Sequence, residues 1–550
     1  MPFWASDFGH PGGPGQYGRP PTNIAPPPEG PVPPAKNWLD SACSLPHRYL
    51  ERVRRGVVKG RSPDIIFVPR EPDYFGAFSS MSHSGPWDYL QQVPIVFYGP
   101  GFIRSTGPIS LPGEIDVTDI APTLADLLHV PWPKDRPGHA LTQALLPPDR
   151  RAHPEPKMIL EVVWDGGGTQ VLHAWPDQWP FLRSIMHKGS YVDDAIVGTS
   201  PSVTPAVHAS LGTGTFPKQH GIVDIPIRLS PTKVVGSYAC DSPQYLRVKT
   251  LADIYDQMVG NEAKIGMLAY KNWHLGMMGH GAEIPGGDKD YAVLIGRDRG
   301  DLKTNPAYYS LPSYLKHVPG FDDDVRRIDL EDGKADNTWM GHKDILQDPR
   351  ERRHTPVWIL YQTKLIETLM KREGFGADAV PDMFFVNYKQ IDDAGHDWNM
   401  LFPEMKDTLH WADEMLRHLV TFLNRTVGKQ QWVLALTADH GQGPDVRAVG
   451  AWPIHMGVLV DDVAKHFGIP ADELFQDTRP VGFWVNPKAL FEHGVTLEQI
   501  SNYLVHYRLE DNSATGIPKM YQDRLKEPIF AAAFPADKMG TIWHACGANR

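Results

Sequence analysis

The sequence predicts an α/β fold: a mainly parallel central sheet with helices on both faces, plus a smaller cap subdomain. Three observations carry this. Strand-length apolar runs at 158–164, 264–269, 383–388 and 432–437 are interleaved with helical patterns near 178–188, 357–372 and 402–424, and such alternation builds a parallel sheet covered on both sides. Asp165, Asp392 and Asp439 each come shortly after one of these runs, at the strand ends where open α/β sheets keep their chemistry. The stretches 275–354 and roughly 446–535 break the alternation, which marks them as insertions.

In chain order, residues 1–36 are rich in Pro and Gly with few aliphatics, the composition of a disordered or polyproline-like tail. Residues 37–150 hold two short strands, Asp64–Val68 and Val93–Gly99, and an apolar helical stripe over Asp119–Leu128. A Pro- and charge-rich stretch at 146–156 reads as a linker. The main α/β part is 151–445, with the polar insertion at 275–354. Residues 446–535 have a strand pattern at Val481–Val485 and a helix near 497–507, and 536–550 read as a C-terminal tail.

With 550 residues and 41% hydrophobic composition the chain can fill a large core and a second lobe. A net charge of -11 and a pI near 6.1 argue against broad nucleic-acid binding, which needs a basic surface. Cys43, Cys240 and Cys546 are too few and too scattered for a disulfide framework or a thiolate zinc site. A reducing compartment fits. The N-terminus has neither a basic n-region nor an apolar h-region, and no run reaches membrane-spanning length, so the expectation is a cytoplasmic protein.

The chemistry-bearing residues are scattered. Asp165 precedes three glycines, which let the backbone bend and approach a metal or phosphate closely; alone it reads as a turn or capping residue. Thr204 precedes Pro205, a good first helical residue, so Thr204 suits an N-cap, near unpaired N–H groups that also receive phosphate. Asp392 and His396 stand four apart after an apolar run, oxygen and nitrogen donors suited to zinc. Asp439-His440-Gly441 follows Val433–Thr437, and an Asp–His pair leaving a buried strand carries a desolvation cost that a metal would offset. His83 is a further candidate upstream.

Together, the DGGG at Asp165, the Thr-Pro-x-x-His segment running through GTGTFPKQHGI, the DxxxH and the ADHG resemble the alkaline phosphatase superfamily. The nearest branch is the type I phosphodiesterase/nucleotide pyrophosphatase family. The resemblance implies an alkaline phosphatase-like fold, two Zn2+ ions (Mn2+ as the alternative cation) and Thr204 as covalent nucleophile. It implies that Asp165, Thr204, Asp439 and His440 hold one ion, and Asp392, His396 and a further His the other. In the family that last His lies near the C-terminal end. Here the matching context surrounds His83, with VPIVFYGPGF and DIAPTLADLL after it, so the chain resembles a circularly permuted member whose residues 37–150 are the family's closing segment. His544 and His455 are the competing candidates.

The activity implied is hydrolysis of a small phosphate ester or nucleotide through a phosphothreonine, with no membrane partner. Two departures from the family bear on substrate. The family's Asn after HGI is replaced by Asp224, whose charge would repel a dianion and favours a diester; Lys271 matches a phosphate-binding Lys of monoesterases, although its companion Arg is Trp273 here. A phosphomonoesterase is therefore the alternative. Ser44-Leu45-Pro46-His47-Arg48 matches the short sulfatase pattern S-x-P-x-R without its context, a phosphomutase would use Ser in place of Thr204, and a catalytically inactive binding protein is opposed by the complete ligand set.

Overall fold

The structure, a computed structural model, describes residues 17–24, 33–77, 81–296, 300–513 and 516–547. At its centre is a nine-stranded sheet in the order Leu302–Lys303, Tyr291–Ile295, Ile265–Ala269, Asp382–Tyr388, Met158–Trp164, Trp432–Thr437, Gln92–Tyr98, Ser190–Ile196 and Gly107–Pro108. The run from Tyr291–Ile295 to Trp432–Thr437 is parallel throughout. Pairing of Tyr388 with Trp164 and of Thr437 with Val163 brings three neighbouring strands to an end on the same line. Gln92–Tyr98 is antiparallel, so it begins where its neighbour ends, with Ile95 opposite Thr437. The loop before it therefore lies at the same sheet edge as Asp165 and Asp439.

Strand Met158–Trp164 is buried on both faces, and its side chains alternate between two cores. Leu160, Val162 and Trp164 pack with residues of helices Pro180–Lys188, Val357–Glu373 and Pro403–Leu423. Ile159 and Val163 pack with residues of Ile120–Leu127, Thr204–Thr213 and Leu251–Met258. The expected strands and helices of the main part occupy these positions. The expected insertion starts too early: Tyr291–Ile295 and Leu302–Lys303 extend the main sheet, because an apolar run paired along a sheet edge belongs to the sheet despite its polar surroundings.

The outer boundaries also differ from the expectation. Ile65–Pro69 leaves the main sheet and lies between Gly482–Val485 and Phe530–Pro535 in a four-stranded antiparallel sheet completed by Phe475–Arg479. Residues from both ends of the chain thus build one lobe around Phe67, Phe483, Ile500 and Phe530. The supposed C-terminal tail contains helix Met539–Gly547, and Cys546 on it is bonded to Cys43 at the end of helix Trp38–Ser44. That disulfide corrects the sequence reading and removes the cysteine argument for a reducing compartment. Three cysteines say little about pairing until a fold brings two together across 503 residues. Part of the expected disordered tail is placed as well: the backbone N–H groups of Gly18 and Arg19 donate to the carbonyls of Leu401 and Ala174. Residues 1–16 and 25–32 of that tail lie outside the described residues. No described helix is long and apolar enough to cross a membrane.

Glu161, in the middle of the central strand, is buried and its Oε1 has no hydrogen-bond partner. Burial pushes its carboxyl up to about 8. Unfolded, the same group ionises near its ordinary value of about 4.5. Between these values the native state holds a proton that the unfolded state has lost, so stability falls as pH rises from roughly 4.5 to 8. Glu161→Gln is expected to flatten that decline, raising Tm at pH 8 by several degrees and leaving it little changed at pH 4.5, as measured by calorimetry. Reduction of Cys43–Cys546 should lower stability by about 2–5 kcal/mol in denaturant unfolding.

Candidate metal centre and nucleophile

Three strand ends deliver carboxylates to one spot. Asp165 follows Trp164, Asp439 follows the Trp432–Thr437 strand, and Asp392 sits with His396 one turn apart on helix Gln390–Asp397, which starts just after Tyr388. All three carboxylates are buried. Two donor groups result: Asp165 with Asp439 and His440, and His83 with Asp392 and His396, each with its ligand atoms within 4.8 Å of one another. The rings of His83 and His440 stack at 3.4 Å, which joins the two groups.

The histidines share one feature. Nδ1 of His83 faces the Ser202 carbonyl at 3.0 Å, Nδ1 of His440 the Gly441 carbonyl at 2.9 Å, and Nδ1 of His396 the Met81 carbonyl. A carbonyl only accepts, so each Nδ1 carries a proton, and in the neutral ring Nε2 presents a lone pair. Those lone pairs face carboxylate oxygens: His83 Nε2 is 3.5 Å and His396 Nε2 3.3 Å from Asp392 Oδ1, and His440 Nε2 is 3.4 Å from Asp439 Oδ2. His440 Nε2 and Asp439 Oδ2 are buried without a hydrogen-bond partner. Lone pair against carboxylate is repulsive unless a proton or a metal cation lies between them. Imidazoles held by backbone carbonyls beside carboxylates are the donor set of a zinc-type site. The residues fit divalent metal.

Thr204 is the first residue of helix Thr204–Thr213, with Val203 as its cap. The expected N-cap role therefore shifts by one residue, and the hydroxyl is not spent on capping. Its neighbour is Lys389, whose Nζ lies 3.4 Å from Thr204 Oγ1 and 2.8 Å from Asp165 Oδ1, and also donates to Asp392 Oδ2. Burial works against the charge on Lys389, but Asp165 and Asp392 outweigh it and hold the ammonium well above its usual range. Burial raises Asp165 to about 6, with Asp439 adding and Lys389 opposing. At Asp392 burial is overcome by His396, Lys389 and His83, which keep it well below the usual carboxylate range.

Two further sets of bonds fix the geometry. Asn387 Nδ2 donates to Asp165 Oδ2 at 2.8 Å and approaches His208 Nε2 at 3.1 Å, while His208 Nδ1 meets the Thr204 carbonyl at 2.8 Å. Ser202 Oγ donates to the His83 carbonyl at 2.9 Å, returning the bond His83 makes to the Ser202 carbonyl. Arg52, buried on helix His47–Gly56, donates to the Pro86 carbonyl and to Asp88, both at 2.7 Å. A helix beside the second lobe thereby clamps the loop that carries His83.

A family profile described as type I phosphodiesterase / nucleotide pyrophosphatase matches residues 159–527. The chain belongs to that family. Among characterised relatives, "Alkaline phosphatase PafA" of Elizabethkingia meningoseptica is 20% identical over 434 residues, 69% of this chain and 78% of the relative. "Alkaline phosphatase PhoV" of Synechococcus elongatus is 21% identical over 331 residues, 52% and 59% of the two chains. The crystal structure of wild-type alkaline phosphatase PafA superposes with a TM-score of 0.50 at 16% identity, over 70% of this chain and 85% of that one, a likeness of fold. Candidate metal-binding groups and this family together make the chain a phosphoester hydrolase of the metal-dependent superfamily.

Of the residues the sequence singled out, Asp165, Thr204, Asp392, His396, Asp439, His440 and His83 are brought together. Lys271 is partly buried, with its Nζ 4.7 Å over the Trp273 ring; burial, with Lys389 nearby, pushes it down to about 8, and Asp393, Asp392 and Asp165 are its acidic neighbours. Asp224 lies elsewhere. Its charged neighbours are Arg479 and Asp477 of the second lobe, and burial pushes it up to about 7. Its Oδ1 accepts from the Ile225 N–H, and no residue of the metal centre is among its charged neighbours. His455 caps helix Met456–Phe467 and His544 is exposed on Met539–Gly547; neither joins the donor groups found among the described residues. Ser44 of the sulfatase-like pattern hydrogen-bonds the Ser41 carbonyl in the N-terminal helix.

Sequence reasoning missed Lys389, Asn387, His208 and Arg52. A lysine directly after the largely apolar run Met383–Tyr388 was the one available signal. Arg52→Ala, which frees the His83 loop from its bonds to Pro86 and Asp88 while Arg48 and Tyr49 still hold Asp88, is expected to lower stability by about 1–3 kcal/mol in denaturant unfolding and to reduce zinc content measured by atomic emission.

Proposed function

We propose that this family member is a phosphodiesterase/nucleotide pyrophosphatase-type hydrolase that works through a covalent phosphothreonine at Thr204. The observation that supports this most directly is the set of three imidazoles tautomerically fixed to aim Nε2 into buried carboxylates around an unspent threonine hydroxyl. Asp165, Asp439 and His440 would hold one zinc ion beside Thr204, and His83, Asp392 and His396 the other. When bound, the pair would supply Lewis-acid polarisation of the phosphoryl group and favour ionised Thr204 and a leaving alkoxide.

The chain's own residues do the rest. Thr204 Oγ1 attacks phosphorus, an ester bond to threonine forms as the P–O bond to the leaving alcohol breaks, and water then cleaves the phosphothreonine. The positive end of the helix that begins at Thr204 favours the negative charge of a phosphoryl group held there. His208 holds the nucleophile through its carbonyl, and Asn387 ties that arrangement to Asp165. The names of the relatives and the position of Lys271 near the carboxylates favour a second reading, phosphomonoester hydrolysis at the same site. Circular permutation is our reading of the order: the family match starts at 159, and the His83 segment precedes it. The disulfide favours an oxidising compartment over the cytoplasm first expected, and alkylation mapping of protein from its native source would show Cys43 and Cys546 as free thiols if that placement were wrong.

Thr204→Ala should abolish turnover of aryl phosphate, bis-aryl phosphate and nucleotide pyrophosphate while zinc stays bound; near-normal kcat would remove the nucleophile assignment. The better substrate of the wild-type panel chooses between the two readings. His83→Ala and His396→Ala should each lower zinc occupancy, and His544→Ala should not. The reverse pattern would remove the permuted reading.

A further inference from the structure

Lys389 occupies the ground between the two donor groups. Its ammonium bonds one oxygen of Asp165 and one of Asp392, and approaches Thr204 Oγ1. The remaining oxygens are also taken: Asp165 Oδ2 accepts from Asn387 and Asp392 Oδ1 from Gln442, each at 2.8 Å. Each carboxylate therefore has one oxygen on a neutral amide and the other on the lysine. A divalent cation that uses Asp165 Oδ1 or Asp392 Oδ2 has to displace an ammonium already there. The lysine cannot retreat far, because its backbone joins strand Asp382–Tyr388 to helix Gln390–Asp397 and the residue is 1% exposed.

Without such a charge, three buried carboxylates would stand together with no metal to balance them, and burying unpaired charge is strongly unfavourable. The lysine solves that problem and creates another. A ligand held by an internal competitor binds metal more weakly than the same ligand left free.

We propose that Lys389 is a built-in counter-ion that keeps the site assembled before metal arrives and competes with divalent cations for Asp165 and Asp392. Metal loading then proceeds by expulsion of the ammonium from those oxygens, and Lys389 sets the metal concentration at which the enzyme becomes active. This rests on the two-metal reading above.

The test compares wild type, Lys389→Met and Lys389→Arg as full-length, chelator-stripped proteins. Zinc affinity is read by competition with a chromophoric chelator and stability by thermal unfolding without metal. Lys389→Met is expected to bind zinc roughly tenfold more tightly or better, the scale of one lost charge-assisted bond, and to unfold at lower temperature when stripped. Lys389→Arg should keep the stripped protein's stability. Equal or weaker zinc binding by Lys389→Met overturns the proposal. If wild type itself binds no zinc, the two-metal reading fails, and an unchanged Tm in stripped Lys389→Met would then sink the counter-ion as well. Should Lys389→Met not fold without metal, its folded yield is followed against free zinc. Rescue below the zinc level that half-loads wild type supports the proposal, and failure of zinc to rescue it overturns it.

Discussion

The cost of burying carboxylates governs this molecule. Asp165, Asp392 and Asp439 are all withdrawn from water at the end of the sheet, where each negative charge is expensive and each needs a partner. Much of the surrounding structure supplies those partners: Lys389 for Asp165 and Asp392, Asn387 and Gln442 for the remaining oxygens of the same two residues, and the backbone N–H of Gly166 for Asp439. What is left over, one oxygen of Asp439 and the Nε2 of His440, is what a divalent cation would take. Polar networks of this kind are either fully satisfied or costly, so the unmatched atoms carry the functional information.

The second constraint is register. Parallel strands aligned at their carboxyl ends place Asp165 and Asp439 side by side, and an antiparallel strand next to them brings His83 in from the opposite chain direction. The order of residues in the chain is then almost irrelevant to the order around the site. Only the strand ends matter. This explains how a histidine far upstream can complete a group whose other members come from a helix more than three hundred residues later. The N-terminal helix adds to it, since Arg52 locks the His83 loop and the same region is tied to the C-terminus by Cys43–Cys546.

The sequence by itself determined the alternation of strands and helices, and with it the sheet and its active edge, because period and burial pattern are local properties of the chain. It also determined the identities of the donors, since Asp and His just beyond apolar runs are visible as residue types. The tertiary structure alone decided the rest. Which strand left the main sheet, as Ile65–Pro69 did, depends on competing edges far apart in the chain. Asp224 lost its expected place because the fold surrounds it with Arg479 and Asp477 of the second lobe, which residue type cannot reveal. The roles of Lys389 and Asn387 depend on side chains meeting across strands, and a lysine is ordinary in a sequence until three carboxylates surround it. Such charges act through distance, and distance is set only when the chain has folded.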